Sequence, residues 1–443
     1  MKVGLIAMSG VRAYNEELTK LGLTLPGFVD RNKIIASLPS LGLLTLAGMT
    51  PEDVDVEYRE IADIKDVREL PGPFDMVALS TYSAQVFEAY ELSRRYREKG
   101  VKTVIGGPHV TCLLEEAKEF CDAVVAGEGE ATWLEVLSDC REGTLKPFYT
   151  SFDKNFDLRD APMPRFGLLD PGKYNRLTVQ TSRGCPHQCE FCAASLLISR
   201  HYKQKPAAKV IREIQEIKKI WGKPFIEFAD DNTFINKEYW KGLLKELRDE
   251  DVRWFTETDV SVAGDEGLLD LMRESGCQQV LIGLESPSKK DLDGLELSSN
   301  WKMKQRDTYR QAIDTIQSHG ITVNGCFILG LDGQDQGIFD EVWEFVKESG
   351  LYEVQITVMT AFPGTPLYRR LVREGRVVKE NAWERCTLFD VNFQPKAMSV
   401  KELERGFRDL AEKVYSAEFT QFRRARYKKM LKTSFSQRKA SLP

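Results

Sequence analysis

Three cysteines, Cys185, Cys189 and Cys192, stand within one stretch of eight residues, Cys-Pro-His-Gln-Cys-Glu-Phe-Cys. Thiolates this close along the chain can converge on one metal centre. A four-iron cluster normally takes four cysteines, so a local triad leaves one iron open to a non-protein ligand. Zinc bound by the same thiols and His187 is the alternative, but His187 lies only two residues from each of two cysteines, a poor spacing for a tetrahedron. The spacing favours an iron–sulfur centre over zinc or ordinary buried thiols.

Carboxylates and small residues recur where the predicted strands of the second half of the chain end. Each could be a helix N-cap or part of a surface ion pair. Their recurrence at successive strand ends favours a shared ligand site, because the carboxyl ends of parallel strands meet at one edge. These residues are Asp230, Asp231, Glu257, Asp259, Glu285 and Ser286.

The first 140 or so residues alternate short apolar runs with amphipathic stretches, a pattern typical of a parallel sheet covered by helices. Loops rich in small residues follow these runs, at the edge where open parallel sheets bind ligands. No GxGxxG motif opens the first helix, which argues against a dinucleotide-binding fold. The predicted strands are Val3–Ala7, Val54–Tyr58, Met76–Ser80, Thr103–Ile105 and Ala123–Ala126.

A second alternating series follows a proline-containing stretch, 143–174, that is expected to be an extended linker. Its six strand–helix units indicate a partial or complete barrel with its active site at the carboxyl ends of the strands. The predicted strands are Leu177–Gln180, Phe225–Phe228, Arg253–Thr256, Gln279–Ile282, Thr322–Ile328 and Glu353–Val358.

Length and composition limit the classes of protein. A chain of 443 residues suggests two or three domains, and a net charge of −5 provides no global attraction for nucleic acid or acidic lipid. No apolar run approaches the roughly 20 residues of a bilayer span, and the N-terminus lacks a signal-peptide layout. Nine cysteines favour metal or catalytic use in a reducing compartment. We therefore expect a cytoplasmic protein with no membrane span, for which a nucleic-acid partner is not expected.

The last 22 residues, Phe422 to Pro443, carry eight basic residues and no acidic one. Such a tail can bind nucleic acid or a membrane surface. The more ordinary interpretation, and the one we favour, is a solvated terminal helix that frays.

The C-x3-C-x2-C loop, with Phe191 before its third cysteine, resembles the signature of radical S-adenosylmethionine (SAM) enzymes. The resemblance implies a [4Fe–4S] cluster held by Cys185, Cys189 and Cys192, whose open iron chelates SAM and whose electron cleaves SAM to a 5′-deoxyadenosyl radical. It also implies SAM contacts from residues at the strand ends. These are Phe191, Asp230, Asp231, Glu257, Glu285, Ser286 and Ile328.

The first half of the chain resembles the cobalamin-binding domain that precedes some of these enzymes. The likeness implies a set of corrinoid contacts from the first helix and the strand-end loops. The Asp-x-His-x-x-Gly motif that supplies a cobalt-ligating histidine elsewhere is absent, so we expect cobalamin without a histidine below cobalt. The implied contacts are Leu41, Ser80, Thr81, Gly106, Gly107, His109, Gly127, Glu128 and Gly129.

Together these features predict an α/β fold in four parts. A Rossmann-like cobalamin-binding domain (1–142) is followed by the linker (143–174), a partial (β/α)6 radical SAM barrel (175–370) and a small, mainly helical C-terminal region (371–443).

The resemblance implies a cobalamin-dependent methyltransferase that moves a methyl group from methylcobalamin to an unactivated carbon of a small-molecule substrate. It also implies an external one-electron reductant of the flavodoxin or ferredoxin type. A cyclase resembling anaerobic magnesium-protoporphyrin ester cyclase, which gives no net methylation, is the alternative. A cobalamin-binding regulatory module is less favoured, because sensing needs no cysteine triad.

Overall fold

Two six-stranded parallel sheets, one in each half of the chain, form the framework of the protein. The structure is a computed structural model that describes residues 1–14, 38–154, 156–194 and 201–440. The six predicted barrel strands and the five predicted strands of the first sheet are all present.

The first sheet has the order β2-β1-β3-β4-β5-β6, and every neighbouring pair is parallel. The order reverses at β1, which lies between β2 and β3; such a reversal opens a crevice at the carboxyl edge of a parallel sheet. The strands are β1 (Lys2–Met8), β2 (Asp55–Ile61), β3 (Met76–Ser80), β4 (Lys102–Gly106), β5 (Ala123–Ala126) and β6 (Phe148–Thr150). The helices are α1 (Leu41–Met49), α2 (Val86–Glu98), α3 (Pro108–Cys112), α4 (Leu114–Lys118) and α5 (Trp133–Glu142).

Both faces of this sheet are buried, which explains why its strands are apolar runs rather than alternating ones. Ile6 and Leu79 belong to the core on one face, whereas Leu5 and Ala78 belong to the core on the other.

The second sheet is an open barrel. Its strands lie in the order β14-β13-β12-β11-β10-β7, and its two end strands are not paired with each other. Along β13, Val323 and Phe327 pack in the apolar core, so the alternate residues Asn324 and Cys326 face the interior of the barrel. The strands are β7 (Leu177–Val179), β10 (Phe225–Phe228), β11 (Arg253–Thr258), β12 (Cys277–Glu285), β13 (Thr322–Leu329) and β14 (Glu353–Val358).

A short ribbon and a set of helices complete the second half. The ribbon, β8 (Ser182–Arg183) and β9 (Lys203–Gln204), is antiparallel and lies outside the barrel sheet. The helices are α6 (Ala207–Ile220), α7 (Lys237–Arg248), α8 (Glu266–Glu274), α9 (Lys289–Leu292), α10 (Trp301–Gln305), α11 (Tyr309–Ser318), α12 (Ile338–Ser349), α13 (Pro366–Arg373), α14 (Val400–Val414) and α15 (Ala417–Ala440).

The segment predicted to be a linker is more structured than expected. Its strand β6 pairs with β5 at the sheet edge. Further along, the Arg165 amide donates to the Leu44 carbonyl (2.9 Å). A side chain at Gly48 would meet the Met163 carbonyl oxygen at 1.8 Å, so glycine lets helix α1 touch this segment. The segment is therefore packed against the first sheet's helix.

The basic tail is docked, so the prediction of a solvated, fraying helix was wrong for its first turns. Arg423 is only 2% exposed, and its guanidinium lies 3.9 Å from the Glu353 carboxylate at the start of β14. Arg426 donates to the carbonyls of Lys347 and Glu348, at the C-terminal end of α12 where cations are favourable. None of the described helices combines the length and apolar character needed to cross a membrane.

Candidate active site between the two sheets

The cysteine loop, residues 184–192, is held by backbone hydrogen bonds from two other segments. The Glu190 amide donates to the Leu295 carbonyl (3.0 Å), and the Leu297 amide donates to the Gln188 carbonyl (2.9 Å). From the other side, the Leu367 amide at the start of α13 donates to the Glu190 carbonyl (2.9 Å). The backbone of the loop is therefore fixed at its centre.

None of the three cysteines forms a disulfide; Cys189 is buried, and Cys185 and Cys192 are half-buried. Burial raises the pKa of the Cys185 thiol to about 11 and that of the Cys189 thiol to about 12, and neighbouring cysteines add to both shifts. In the described part of the chain, no three His, Cys, Asp or Glu side chains converge as they would around a single metal ion.

The zinc alternative fits these positions poorly. His187 lies 3.6 Å from Asp259 through its Nε2 atom and packs against the Trp301 ring at 4.7 Å between centroids. A closed zinc tetrahedron needs four side chains at one point. The His187 imidazole instead packs against Asp259 and Trp301 beside the cysteine loop.

Two predicted SAM-binding carboxylates support the chain just before the cysteines. Asp230 accepts hydrogen bonds from the backbone amides of Thr181 (2.7 Å) and Ser182 (2.9 Å) and from the Thr181 hydroxyl. Burial raises the pKa of Asp230 to about 6, although these hydrogen bonds oppose the rise. Asp231 accepts from the Gly184 amide (2.7 Å). The structure thus gives Asp230 a supporting position, since its carboxylate is engaged with the chain itself.

An ion-pair network fixes the centre of the cysteine loop to α13. Arg370 donates to both Glu190 oxygens, at 3.0 Å from Nε and 2.6 Å from Nη2. Its Nη1 atom also donates to Asp332 (2.7 Å) in the loop after β13. Although burial opposes the shift, hydrogen bonds from Arg376 and Lys396 help to lower the pKa of Asp332 to about 2. Glu190 is thus bound in the two-pronged geometry typical of strong Arg–carboxylate pairs.

A cross-domain clamp joins the loop after β5 to the ribbon beside the cysteines. We use this name for Glu128, Glu130, Arg183 and Lys203. Arg183 donates to Glu128 (2.8 Å) and to Glu130 (2.8 Å), and the Lys203 ammonium donates to the second oxygen of Glu128 (2.6 Å). All four side chains are at most 14% exposed. Glu128, predicted to contact cobalamin, is therefore engaged with the barrel domain.

His109, another predicted cobalamin contact, lies in a buried network. Its Nδ1 atom is 3.0 Å from the Ser83 hydroxyl, and its Nε2 atom is 3.2 Å from Glu116. The Trp383 indole donates to the second oxygen of Glu116 (3.0 Å) and stands edge-on to the His109 ring. The histidine side chain is 0% exposed. It therefore joins the first sheet to the C-terminal region instead of facing open space.

The carboxyl edges of the two sheets face each other. Tyr82, directly after β3, is 61% exposed, yet burial by surrounding protein raises its pKa and Glu227 of β10 contributes to the rise. Glu257 at the end of β11 is also exposed. Burial, then Glu227 and Asp231, raise its pKa to about 7. Tyr82 of the first sheet therefore lies near Glu227 of the second, and the clamp joins the same two edges.

Glu257 is the most available of the predicted SAM contacts, because its carboxylate has no hydrogen-bond or ion-pair partner among the described residues. Glu285 has a left-handed backbone (φ +61°) and pairs with Lys302 at 2.6 Å. Ser286 donates to Asp291 (2.7 Å) and is fully buried. Phe191 is half-buried, and Ile328 is 7% exposed.

Close contacts with neighbouring segments explain why glycine stands at two of the predicted cobalamin-binding positions. Gly107 has φ +123°, and a side chain there would meet the Thr81 carbonyl oxygen at 2.5 Å. Gly127 has φ +82° and lies beside the Ser151 hydroxyl. Four further predicted contacts at this edge are half-buried rather than enclosed: Leu41, Ser80, Gly106 and Gly129.

Several residues of this site were missed in the sequence. Arg183 stands two residues before Cys185, but its partners lie 55 and 53 positions away. Arg370 and Glu190 are 180 positions apart. Tyr82 directly follows the predicted contacts Ser80 and Thr81, and this position was its one local signal.

Comparison with known protein families agrees with this two-part architecture. Residues 30–137 match the B12 binding domain, and residues 179–347 match the Radical SAM superfamily. Residues 365–442 match a domain of unknown function.

Curated relatives include methyltransferases and a cyclase. An uncharacterised methyltransferase of Synechocystis sp. is 30% identical over 78% of this chain, and the match spans 65% of that relative, slightly less than two thirds of its length. The bacteriochlorophyllide d C-12(1)-methyltransferase of Chlorobaculum tepidum is 26% identical over 86% of this chain and 83% of its own. The anaerobic magnesium-protoporphyrin IX monomethyl ester cyclase of Rubrivivax gelatinosus is 25% identical over 74% and 63%.

Among solved structures, the radical SAM methyltransferase TsrM from Kitasatospora setae, with cobalamin and a [4Fe–4S] cluster bound, shares the fold. The TM-score is 0.68 at 14% identity, and the match covers 98% of this chain and 99% of the TsrM chain.

Proposed function

We propose that this chain, which belongs to the cobalamin-binding radical SAM enzymes and is a methyltransferase of that family, methylates an unactivated carbon of a small molecule. Its cofactors are a [4Fe–4S] cluster, SAM and cobalamin. The observation that supports the proposal most strongly is that the carboxyl edges of both sheets face each other and are joined by the clamp, so two cofactors bound at these edges can act on one substrate.

The cysteine loop fits a four-iron cluster. It offers three cysteines that form no disulfide, on a loop whose backbone is held from both sides, and a cube of iron and sulfur spreads its ligands over separate corners. A zinc ion would instead require all of its ligands to converge on one point. We infer that Cys185, Cys189 and Cys192 hold the cluster.

The crevice at the reversal between β1 and β3 fits a large flat ligand. Its edge carries half-buried Ser80 and Gly106 and the exposed Tyr82 ring. His109 is the only histidine of the first 150 residues, and both its nitrogens lie within hydrogen-bond distance of other side chains. We infer that cobalamin binds here without a protein histidine on cobalt.

When bound, the reduced cluster with SAM supplies a radical that removes a substrate hydrogen atom, and cobalamin supplies the methyl group. The residues of the chain position these groups. Asp230 and Asp231 fix the backbone leading into the cysteine loop, and Arg370 fixes its centre. The Glu257 carboxylate, at the end of β11, has no hydrogen-bond or ion-pair partner among the described residues and can accept hydrogen bonds from SAM. The clamp sets the distance between the two domains.

The cyclase alternative keeps a specific observation in its favour, namely the relative from Rubrivivax gelatinosus. Methyl transfer is favoured because methyltransferases have the higher identity and coverage among the relatives described here.

Two further expectations concern partners and location. Radical SAM enzymes act on small molecules and need a reductant. For this chain we infer a reductant of the flavodoxin or ferredoxin type and a cytoplasmic location, where nine cysteines that form no disulfide would stay reduced.

The test is a triple substitution of Cys185, Cys189 and Cys192 by Ala, prepared without oxygen. The wild type is expected to take up about four irons per chain, to bind one corrinoid with a base-off absorption spectrum, and to form 5′-deoxyadenosine. The triple variant should lose the iron and 5′-deoxyadenosine but keep the corrinoid. Full iron content in the variant, or a base-on histidine-ligated spectrum, would contradict the assignment.

A further inference from the structure

The cysteine loop is covered on one side by residues 286–306, which we call the covering segment. Besides the backbone bonds at Leu295 and Leu297, Glu296 pairs with Cys189 in an isolated antiparallel bridge. Cys189 is 6% exposed, and this segment is one of the elements that pack against it.

The acidic side chains of the covering segment point mostly inward. Asp291 is 4% exposed and accepts from Ser286, and Glu296 is 2% exposed and accepts from the amides of Ser298 and Ser299. The exposed acid of the segment is Asp293. The inward acids are therefore not exposed as direct contacts for a partner.

The basic side chains of the segment point mostly outward. Lys289, Lys290 and Lys304 are all exposed, and Arg306 is half-buried. Lys289 pairs with Asp307, whereas Lys290 and Lys304 form no ion pair with any residue in the described ranges. In a chain with a net charge of −5, these residues form a local basic cluster on the segment that contacts the cysteine loop.

An exposed apolar side chain stands in the same segment. Leu297 is 52% exposed, although its backbone amide is bonded to Gln188 of the cysteine loop. Close by in sequence, Trp301 packs on His187 of the loop. An apolar centre with a charged periphery is the usual composition of a protein-docking surface.

We propose that the covering segment is the docking surface for a small acidic one-electron carrier protein, with Lys290 and Lys304 as its charge contacts and Leu297 as its apolar contact. The proposal rests on the proposed function, which places the cluster beneath this segment. One electron leaves the reduced carrier and enters the oxidised cluster, and no bond forms or breaks. Complementary charge speeds such encounters and makes them sensitive to salt.

The experiment compares two reductants of the reconstituted holoenzyme by anaerobic stopped-flow absorbance. The first is a flavodoxin in its hydroquinone form, and the second is photoreduced deazariboflavin, which is small and uncharged. The variant is Lys290→Glu with Lys304→Glu. Its matched control is Lys428→Glu with Lys429→Glu, an equal charge change at exposed positions of α15.

With flavodoxin at low salt, the covering-segment variant is expected to be reduced about tenfold more slowly than wild type and to lose most of the salt dependence. The control variant should match wild type, and all three proteins should react equally with deazariboflavin. Leu297→Ser should raise the flavodoxin concentration needed for half the maximal rate without changing the salt dependence.

An unchanged flavodoxin rate in the covering-segment variant would overturn the proposal. Equal slowing of the control variant, or equal slowing with deazariboflavin, would overturn it as well, because the effect would then come from net charge or from damage to the loop. Failure of wild type to hold iron or to cleave SAM with deazariboflavin would count against the proposed function instead.

Discussion

Glu257 is exposed to solvent, yet the surrounding protein raises its pKa. The dependence of protein stability on pH tests this shift. Because its pKa of about 7 in the folded protein exceeds the ordinary value of 4.5, the folded state holds the extra proton between these pH values. Its contribution to stability is therefore present at low pH and is lost as the pH rises toward 7. Because solvent reaches the Glu257 carboxylate, the change in stability is smaller than complete burial would give.

Replacing Glu257 by Gln should remove this pH-dependent loss. In protein free of cofactors, the variant should melt a few degrees above wild type at pH 8 and close to wild type at pH 5, as followed by differential scanning fluorimetry. Glu238→Gln, an exposed carboxylate on α7, is the control. A constant difference between variant and wild type across this pH range would show that Glu257 titrates normally.

Arg370 gives a second test at the scale of a single residue. Replacing it by Lys keeps the charge but loses the two-pronged contact with Glu190. We expect a loss of about 2 kcal/mol in the free energy of unfolding. We also expect a changed electron paramagnetic resonance spectrum of the reduced cluster, because the loop centre would shift. Arg369→Lys, on the neighbouring exposed residue, should change neither quantity. An unchanged spectrum in the Arg370 variant would show that the ion pair does not position the loop.

At the scale of elements, the cross-domain clamp joins the loop after β5 to the ribbon β8–β9. Replacing Arg183 by Met removes the ion-pair partner of the buried Glu130 carboxylate, whereas Glu128 keeps Lys203. We expect the single variant to lose about 3 kcal/mol of stability. Adding Glu130→Gln should restore at least about 1 kcal/mol of that loss. Urea unfolding followed by tryptophan fluorescence measures both, and strictly additive losses would contradict a coupled pair.

The strands were predictable because both sheets are parallel and covered by helices. Burial on both faces produces the apolar runs that mark β1 and β3 to β5, and most positions of the barrel strands β13 and β14 are buried as well. Strand β6 was missed because it is three residues long, follows Pro147 and pairs only at an edge. The docking of the basic tail was missed because charge composition does not show that Arg423 lies beneath the barrel.

The candidate site was predictable only where its signal is local. The three cysteines share one loop, and the strand-end carboxylates Asp230, Asp231 and Glu257 follow regular strands. Their separate roles were not predictable, because Asp230 is saturated by nearby amides whereas Glu257 has no such neighbours. The contacts of Arg183, Arg370 and His109 join distant segments, and the sequence contains no pattern that displays such pairs.

At the scale of the whole molecule, the arrangement of the two sheets explains the proposed chemistry. Their carboxyl edges face each other, with Tyr82 on the first sheet near Glu227 on the second. The clamp and the His109–Trp383 network hold this arrangement on two sides. A methyl donor on one wall and a hydrogen-abstracting radical on the other can then reach the same substrate carbon.

The measurement that tests this account most directly is the ratio of products formed from SAM whose methyl group carries deuterium. The holoenzyme is incubated without oxygen with a reductant and a pool of small molecules, and the products are quantified by mass spectrometry. We expect one S-adenosylhomocysteine and one 5′-deoxyadenosine for each substrate molecule that gains a labelled methyl group. Formation of 5′-deoxyadenosine and altered substrate without S-adenosylhomocysteine or labelled product would contradict methyl transfer and support the cyclase alternative.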